Sequence, residues 1–202
     1  METFLDTCII INNFDEKSSF NEISKKFIFG NQNIILCFYQ KQKEIPYLIW
    51  RLKLTSKIIK TKALFSSKET PEIKMLTKED KMKVRKILAN YELGLINIKD
   101  IFDLQEQTYL LERKLNNFIK TKIKRFVTPL DKINPSLVNS LFELNKNKAD
   151  SKIIASGIEE YKKNNLILIT TDKRDWKREY LEKACKMNSY PRIPEVKFLQ
   201  DE

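Results

Sequence analysis

Histidine is absent from this chain of 202 residues, and that absence excludes a wide range of chemistry. Ser-His and Cys-His nucleophile pairs, histidine-ligated zinc proteases and nucleases that activate water through an imidazole all need a side chain that is missing here. Glycine and proline are scarce, at 3 and 6 residues. So few chain breakers disfavour a loop-rich all-β fold and favour helices joined by short connections. Cysteine is limited to Cys8, Cys37 and Cys185, an odd number without C-x-x-C spacing. Neither a disulfide framework nor a zinc site is encoded, and a reducing compartment is expected. No apolar run reaches membrane-spanning length, and the start METFLDTCII lacks a basic n-region. The expectation is a soluble, cytoplasmic protein with no membrane partner.

What is present is charge and enough apolar material for a core. Lys and Arg number 38 against 27 Asp and Glu, a net charge of +11, and 42% of residues are hydrophobic. The length suits one domain, or one domain carrying an insertion. A basic surplus points towards a polyanion. The same Lys-, Ile- and Asn-rich composition also follows from AT-rich coding, so charge adds little by itself.

The chain opens with Phe4-Leu5-Asp6, a short apolar run ending in an acid, and a second run, Ile34 to Tyr39, has the length and β-branched content of a buried strand. Residues 41–54 read as helix, with Pro46 blurring its start. Residues 55–148 are helical and more charged. Thr77-Lys78-Glu79-Asp80 resembles a capping box, and Gly94 sits where a C-terminal cap belongs. A longer helix follows, with Ile101, Leu104, Thr108, Leu111, Leu115 and Phe118 on one seam, and its end is read as a cationic turn of Lys120, Lys122, Lys124 and Arg125. Then Asp150, Ile153, Ile154, Gly157, Ile158 and Tyr161 share one helical face, and Leu166 to Thr170 is a further apolar strand. This is the rhythm of an α/β sheet with a large helical insertion at 55–148.

Two apolar strands end in carboxylates, at Asp6 and Asp172, and the carboxyl ends of strands are where open α/β sheets bind ligands. Asp150 heads an apolar helical face, and Glu44 follows the second strand. Each acid also has a purely structural explanation: Asp6 and Asp172 in turns, Asp150 as a helix cap, Glu44 as a solvated residue.

Phe-Leu-Asp6-Thr7-Cys8-Ile-Ile-Ile, Glu44-Ile45, Ala149-Asp150-Ser-Lys-Ile-Ile-Ala155, and Leu-Ile-Leu-Ile-Thr170-Thr171-Asp172-Lys-Arg-Asp175-Trp176 together resemble the four signature blocks of PIN-domain nucleases. The resemblance covers residues 1–50 and 149–176, and its last block is the most specific. It implies a three-layer α/β/α fold around a mainly parallel sheet, and an acidic cluster that holds Mg²⁺ or Mn²⁺ and hydrolyses phosphodiesters, most often in RNA. Carried over, Asp6, Glu44, Asp150 and Asp172 match the metal-binding acids, Asp175 a further acid at the rim, and Thr170 the hydroxyl beside them. Cys8 departs from the family, which more often carries Asn or Ser there, and Glu16 is the alternative to Glu44 because Pro46 follows so closely.

Elementary chemistry agrees with that carry-over. Converging carboxylates repel one another unless a cation neutralises them, all-oxygen ligands select hard ions, and such ions need no histidine to activate water. Four or five acids in one cleft repel a polyanion, so substrate would be gripped by cations on the rim, for which Lys173, Arg174, Lys177 and Arg178 lie nearest in sequence. The expected activity is a metal-dependent endoribonuclease acting as a toxin or defence effector. An inactive nucleic-acid-binding scaffold and a structure-specific DNA nuclease are the alternatives. A cognate inhibitor and a second copy of the chain are further candidate partners.

Overall fold

Five strands share one sheet in the computed structural model, which describes residues 1–65 and 71–201. They are β1 (Glu2–Leu5), β2 (Ile34–Cys37), β3 (Ile123–Val127), β4 (Leu166–Thr170) and β5 (Glu195–Phe198), in the order β3-β2-β1-β4-β5. Every pairing is parallel. Leu5, Leu36 and Leu168 therefore lie in one parallel sheet, as expected from the apolar runs that contain them. Both faces of such a sheet must be covered. Phe4 and Leu5, which point to opposite faces, are each fully buried, as are Ile35 and Leu36.

Parallel strands need crossovers, and helices supply them. α1 (Thr7–Phe14) and α2 (Asn21–Gly30) join β1 to β2, while α6 (Pro135–Asn145) and α7 (Lys148–Tyr161) lead into β4, and α8 (Arg178–Met187) into β5. One face of the sheet, with Phe4, Ile35, Cys37 and Leu168, packs on Leu137, Leu141, Ile153, Ile154, Ile158 and Leu181 of α6, α7 and α8. Gly157 permits this approach: a Cβ there would lie 2.7 Å from Leu168 Cδ2 and 3.3 Å from Phe4 Cδ1.

The remaining helices are α3 (Ile45–Phe65), α4 (Lys78–Glu92) and α5 (Ile98–Thr121). The chain divides into two compact units, Met1–Ile45 with Asn117–Glu202, and Pro46–Asn116. The second unit has its own core of Ile58, Ile59, Leu76, Val84 and Ile101. The Thr77 hydroxyl accepts from the Asp80 N–H at the start of α4, and Gly94, at φ 70°, closes its end. Arg51 joins Asp80 and Thr77 to α3. Pro46 falls in the first turn of α3, where a missing N–H costs nothing.

One segment differs from expectation. Residues 123–127 form strand β3 rather than the last turn of the long helix, because Ile123 and Val127 fill the sheet edge beside Ile34 and Cys37. Lys124 and Arg125 are therefore not a free cationic turn. Lys124 pairs with Glu2, and Arg125 with Glu2 and Glu160. All three cysteines are free thiols, and no described helix is long and apolar enough to cross a membrane.

Candidate metal centre

The sheet order reverses between β1 and β4: successive strands run outward from β1 on one side, and β4 and β5 continue on the other. A crevice forms at the carboxyl ends of strands at such a switch point. β1 ends at Leu5, so Asp6 stands at its mouth, and β4 ends at Thr170, so Asp172 stands at the mouth of its neighbour. The Asp6 backbone N–H donates to the Ile169 carbonyl at 2.9 Å, stitching the two ends together.

Asp6 is 3% exposed. Its Oδ2 accepts from the Thr170 hydroxyl at 2.6 Å and from the Cys8 thiol at 2.8 Å, so Cys8 supplies a polar contact to this acid. Burial raises the Asp6 pKa against those bonds, with Asp172 adding repulsion. Burial and the Asp6 charge also push the Cys8 thiol far up, so it remains a neutral donor.

Glu44 is the last residue of a π-helical turn, Gln40–Glu44, that continues into α3. It accepts from the Thr7 hydroxyl, and burial, followed by the Asp6 charge, pushes its pKa up to about 7. Gln40, fully buried, sets this geometry. Its amide accepts from the Cys37 N–H at 2.9 Å and donates to the Leu5 carbonyl at 2.8 Å and to Thr7 Oγ1 at 3.0 Å. Glu16, the alternative acid, is exposed in the turn after α1.

Asp150 does not cap α7. Asn147 does, its Oδ1 accepting from the N–H groups of Ala149 at 3.1 Å and Asp150 at 3.3 Å. The other end of the Asn147 amide donates to Asp150 Oδ2 at 2.5 Å and to Asp175 Oδ2 at 2.9 Å. After β4 the chain turns around Asp172, whose Oδ1 accepts from the N–H groups of Arg174 at 2.8 Å and Asp175 at 3.1 Å. That turn brings Asp175 inward, where it is 2% exposed.

The result is a tight group. One ligand oxygen from each of Asp150, Asp172 and Asp175 lies within 4.8 Å of the others. Burial, then repulsion from Asp6 and Glu44, pushes the Asp150 pKa up to about 9. Burial acts the same way on Asp175, but hydrogen bonds from Arg174 and Asn147 outweigh it and hold that carboxyl below its usual range. Within the pair the two carboxyls are thus pushed in opposite directions, Asp150 up and Asp175 down. Asp175 is therefore a central member of the group rather than a rim acid, while Asp6 and Glu44 are its electrostatic neighbours.

The donor set fits a divalent cation. All donors are carboxylate oxygens, Asp150 and Asp175 are buried, and Arg174 is the one cation that pairs with any of the three among the described residues. Of the other sequence-nominated cations, Lys173 pairs with Asp201 at 2.5 Å and Arg178 with Glu182 at 2.8 Å, whereas Lys177 lies 5.3 Å from the centre of the Tyr180 ring. The residues missed in the sequence are the neutral donors Thr7, Gln40 and Asn147. Only Asn147 carried a signal, as an Asn directly before a helical face. No family profile, curated protein or solved structure matches this chain.

Proposed function

We propose that this protein is a divalent-metal-dependent nuclease of the PIN type, with the three-layer α/β/α arrangement of that family, acting on RNA in preference to DNA. The observation that carries the reading is the convergence of Asp150, Asp172 and Asp175 at the switch point of a parallel sheet, with Asp6 and Glu44 beside them. Asp150, Asp172 and Asp175 would hold Mg²⁺ or Mn²⁺, assisted by Asp6 and Glu44. When bound, such an ion supplies Lewis-acid polarisation of a phosphodiester and activation of water at neutral pH.

The chain's own part is orientation. Asn147 aims two carboxylates at once, the Thr170 hydroxyl and Cys8 thiol fix Asp6, and the Thr7 hydroxyl fixes Glu44. These donors are uncharged, so they hold the acids without neutralising them. A scaffold without chemistry gains nothing from buried carboxylates that raise one another's pKa. The test is cleavage of mixed RNA and DNA substrates in Mg²⁺, Mn²⁺ or EDTA. Divalent-dependent cleavage that EDTA abolishes and Asp172→Asn removes is expected. No cleavage in either metal, or cleavage indifferent to EDTA, overturns the reading.

A further inference from the structure

Beside the acidic group opens a cleft of about 520 Å³, within the size range of sites that enclose small ligands. It shares Asn147, Arg174 and Asp175 with that group, and then adds side chains of another character. Phe142, near the end of α6, leaves 40% of its surface exposed. Tyr180, in the first turn of α8, presents a second ring, with Lys177 5.3 Å from its centre. Lys146 ends α6 in the left-handed conformation, φ 58°, and Lys148 opens α7, so two lysines flank the Asn147 cap. Neither makes an ion pair among the described residues. With Arg174 they set three cations against Asp175 on the wall of the cleft.

Aromatic faces and unpaired cations together form the pattern that binds unstacked bases and their phosphates. An anion alone would need no rings. A protein partner would need a far broader surface than one open cleft of this size. We propose that this cleft is a subsite for one nucleotide of a single-stranded polynucleotide whose adjoining phosphodiester lies at the carboxylates, an assignment that rests on the nuclease reading above. A duplex keeps its bases stacked on one another and cannot offer one to Phe142.

Fluorescence anisotropy with labelled RNA and DNA oligomers of matched sequence, single-stranded and duplex, in EDTA, tests this on the full chain. Single strands should bind more tightly than duplexes. Phe142→Ala should weaken single-strand binding roughly tenfold, the order expected of one stacked base, and Phe142→Trp should restore it. Lys148→Ala, at an exposed position, should lower the slope of log affinity against log salt by about one. Thermal melts check that each variant is folded. Wild-type affinity in both Phe142→Ala and Lys148→Ala, equal binding of duplex, or no oligomer binding by the wild type each overturn the subsite. Metal-dependent cleavage in those cases leaves the nuclease reading standing. Conversely, binding with the expected pattern but no cleavage in Mg²⁺ or Mn²⁺ overturns the nuclease reading and leaves a nucleotide-binding cleft.

Discussion

Replacing Asp150 by Asn separates charge from shape at the centre of the acidic group. The carboxamide oxygen can still accept from Asn147, its NH₂ can donate to Asp175, and the α7 cap is untouched because Asn147 provides it. What disappears is the charge. Two unit charges 4.8 Å apart, the limit separating these ligand oxygens, repel by about 3.5 kcal/mol at an effective dielectric constant of 20. The protein avoids that repulsion by protonating Asp150, whose pKa moves from 3.8 up to about 9. Taking up that proton on folding at pH 7.5 costs up to roughly 5 kcal/mol at 1.36 kcal/mol per pH unit. Side chains that swing apart relieve part of either burden, so a net gain of about 2 kcal/mol is expected for metal-free Asp150→Asn, a rise of roughly 4–8 °C in Tm for a chain of this size. The sign with pH follows from the raised pKa. Asp150 favours the folded state fully below about 4 and progressively less as pH rises towards 9, so the advantage of Asn widens from pH 5 to pH 8. Differential scanning calorimetry in EDTA measures this directly. The same variant should lose both divalent-dependent stabilisation and nuclease activity. A lower Tm in EDTA, or an undiminished response to Mg²⁺ and Mn²⁺, would refute the reasoning and reduce Asp150 to a structural residue.

Wild-type protein should gain thermal stability from Mg²⁺ or Mn²⁺, more at pH 8 than at pH 5.5 because protons compete for raised carboxylates, and EDTA should reverse the gain; a shift independent of pH would place the ion elsewhere. Gly157→Ala gains about 1 kcal/mol of helix propensity but forces a methyl against Leu168 and Phe4, so a net loss of about 1 kcal/mol is expected in urea unfolding, and a rise in stability would show that the core yields. Arg125→Met leaves Glu160, 4% exposed, without its cation and Glu2 with Lys124 alone, and should cost about 2 kcal/mol in the same experiment while leaving metal-dependent cleavage intact; unchanged stability would show the pairing to be inconsequential.

Sequence patterning revealed the elements whose burial is symmetrical. β2 is apolar throughout, and β1 and β4 carry the apolar runs Phe4-Leu5 and Leu166–Ile169, because both faces of the sheet are covered, and the ends of β1 and β4 located Asp6 and Asp172. The edge strands were opaque for the same reason in reverse. β3 reads Ile-Lys-Arg-Phe-Val and β5 Glu-Val-Lys-Phe, half-solvated segments whose lysines and arginine match a helix end as well as a strand. Capping chemistry was local and legible at Thr77 and Gly94. Contacts across the fold were not: Gln40 reaches the end of β1, and Thr7 reaches Glu44, through hydrogen bonds spanning 35 and 37 residues that no periodicity records. Glu44 itself looked doubtful beside Pro46 because a π-helical turn running into α3 has no composition signal.

The molecule contains its own control for the meaning of buried acids. β1 and α7 each carry carboxylates at both ends. At one end Glu2 and Glu160 meet Arg125, with Lys124 also on Glu2, so these acids are paired with cations and the Glu2 pKa falls. At the other end Asp6 and Asp150 are held by a hydroxyl, a thiol and an amide, none of which carries charge, and both pKa values rise. Supply of cations does not explain the difference, since the chain has 38 Lys and Arg and a net charge of +11. A purely structural requirement would be met at both ends by the device used at the first, because unpaired buried charge destabilises a fold. Neutral donors instead keep Asp6 and Asp150 oriented without supplying a cation, so a divalent ion that displaces the protons of these raised carboxyls can provide the compensation the fold withholds.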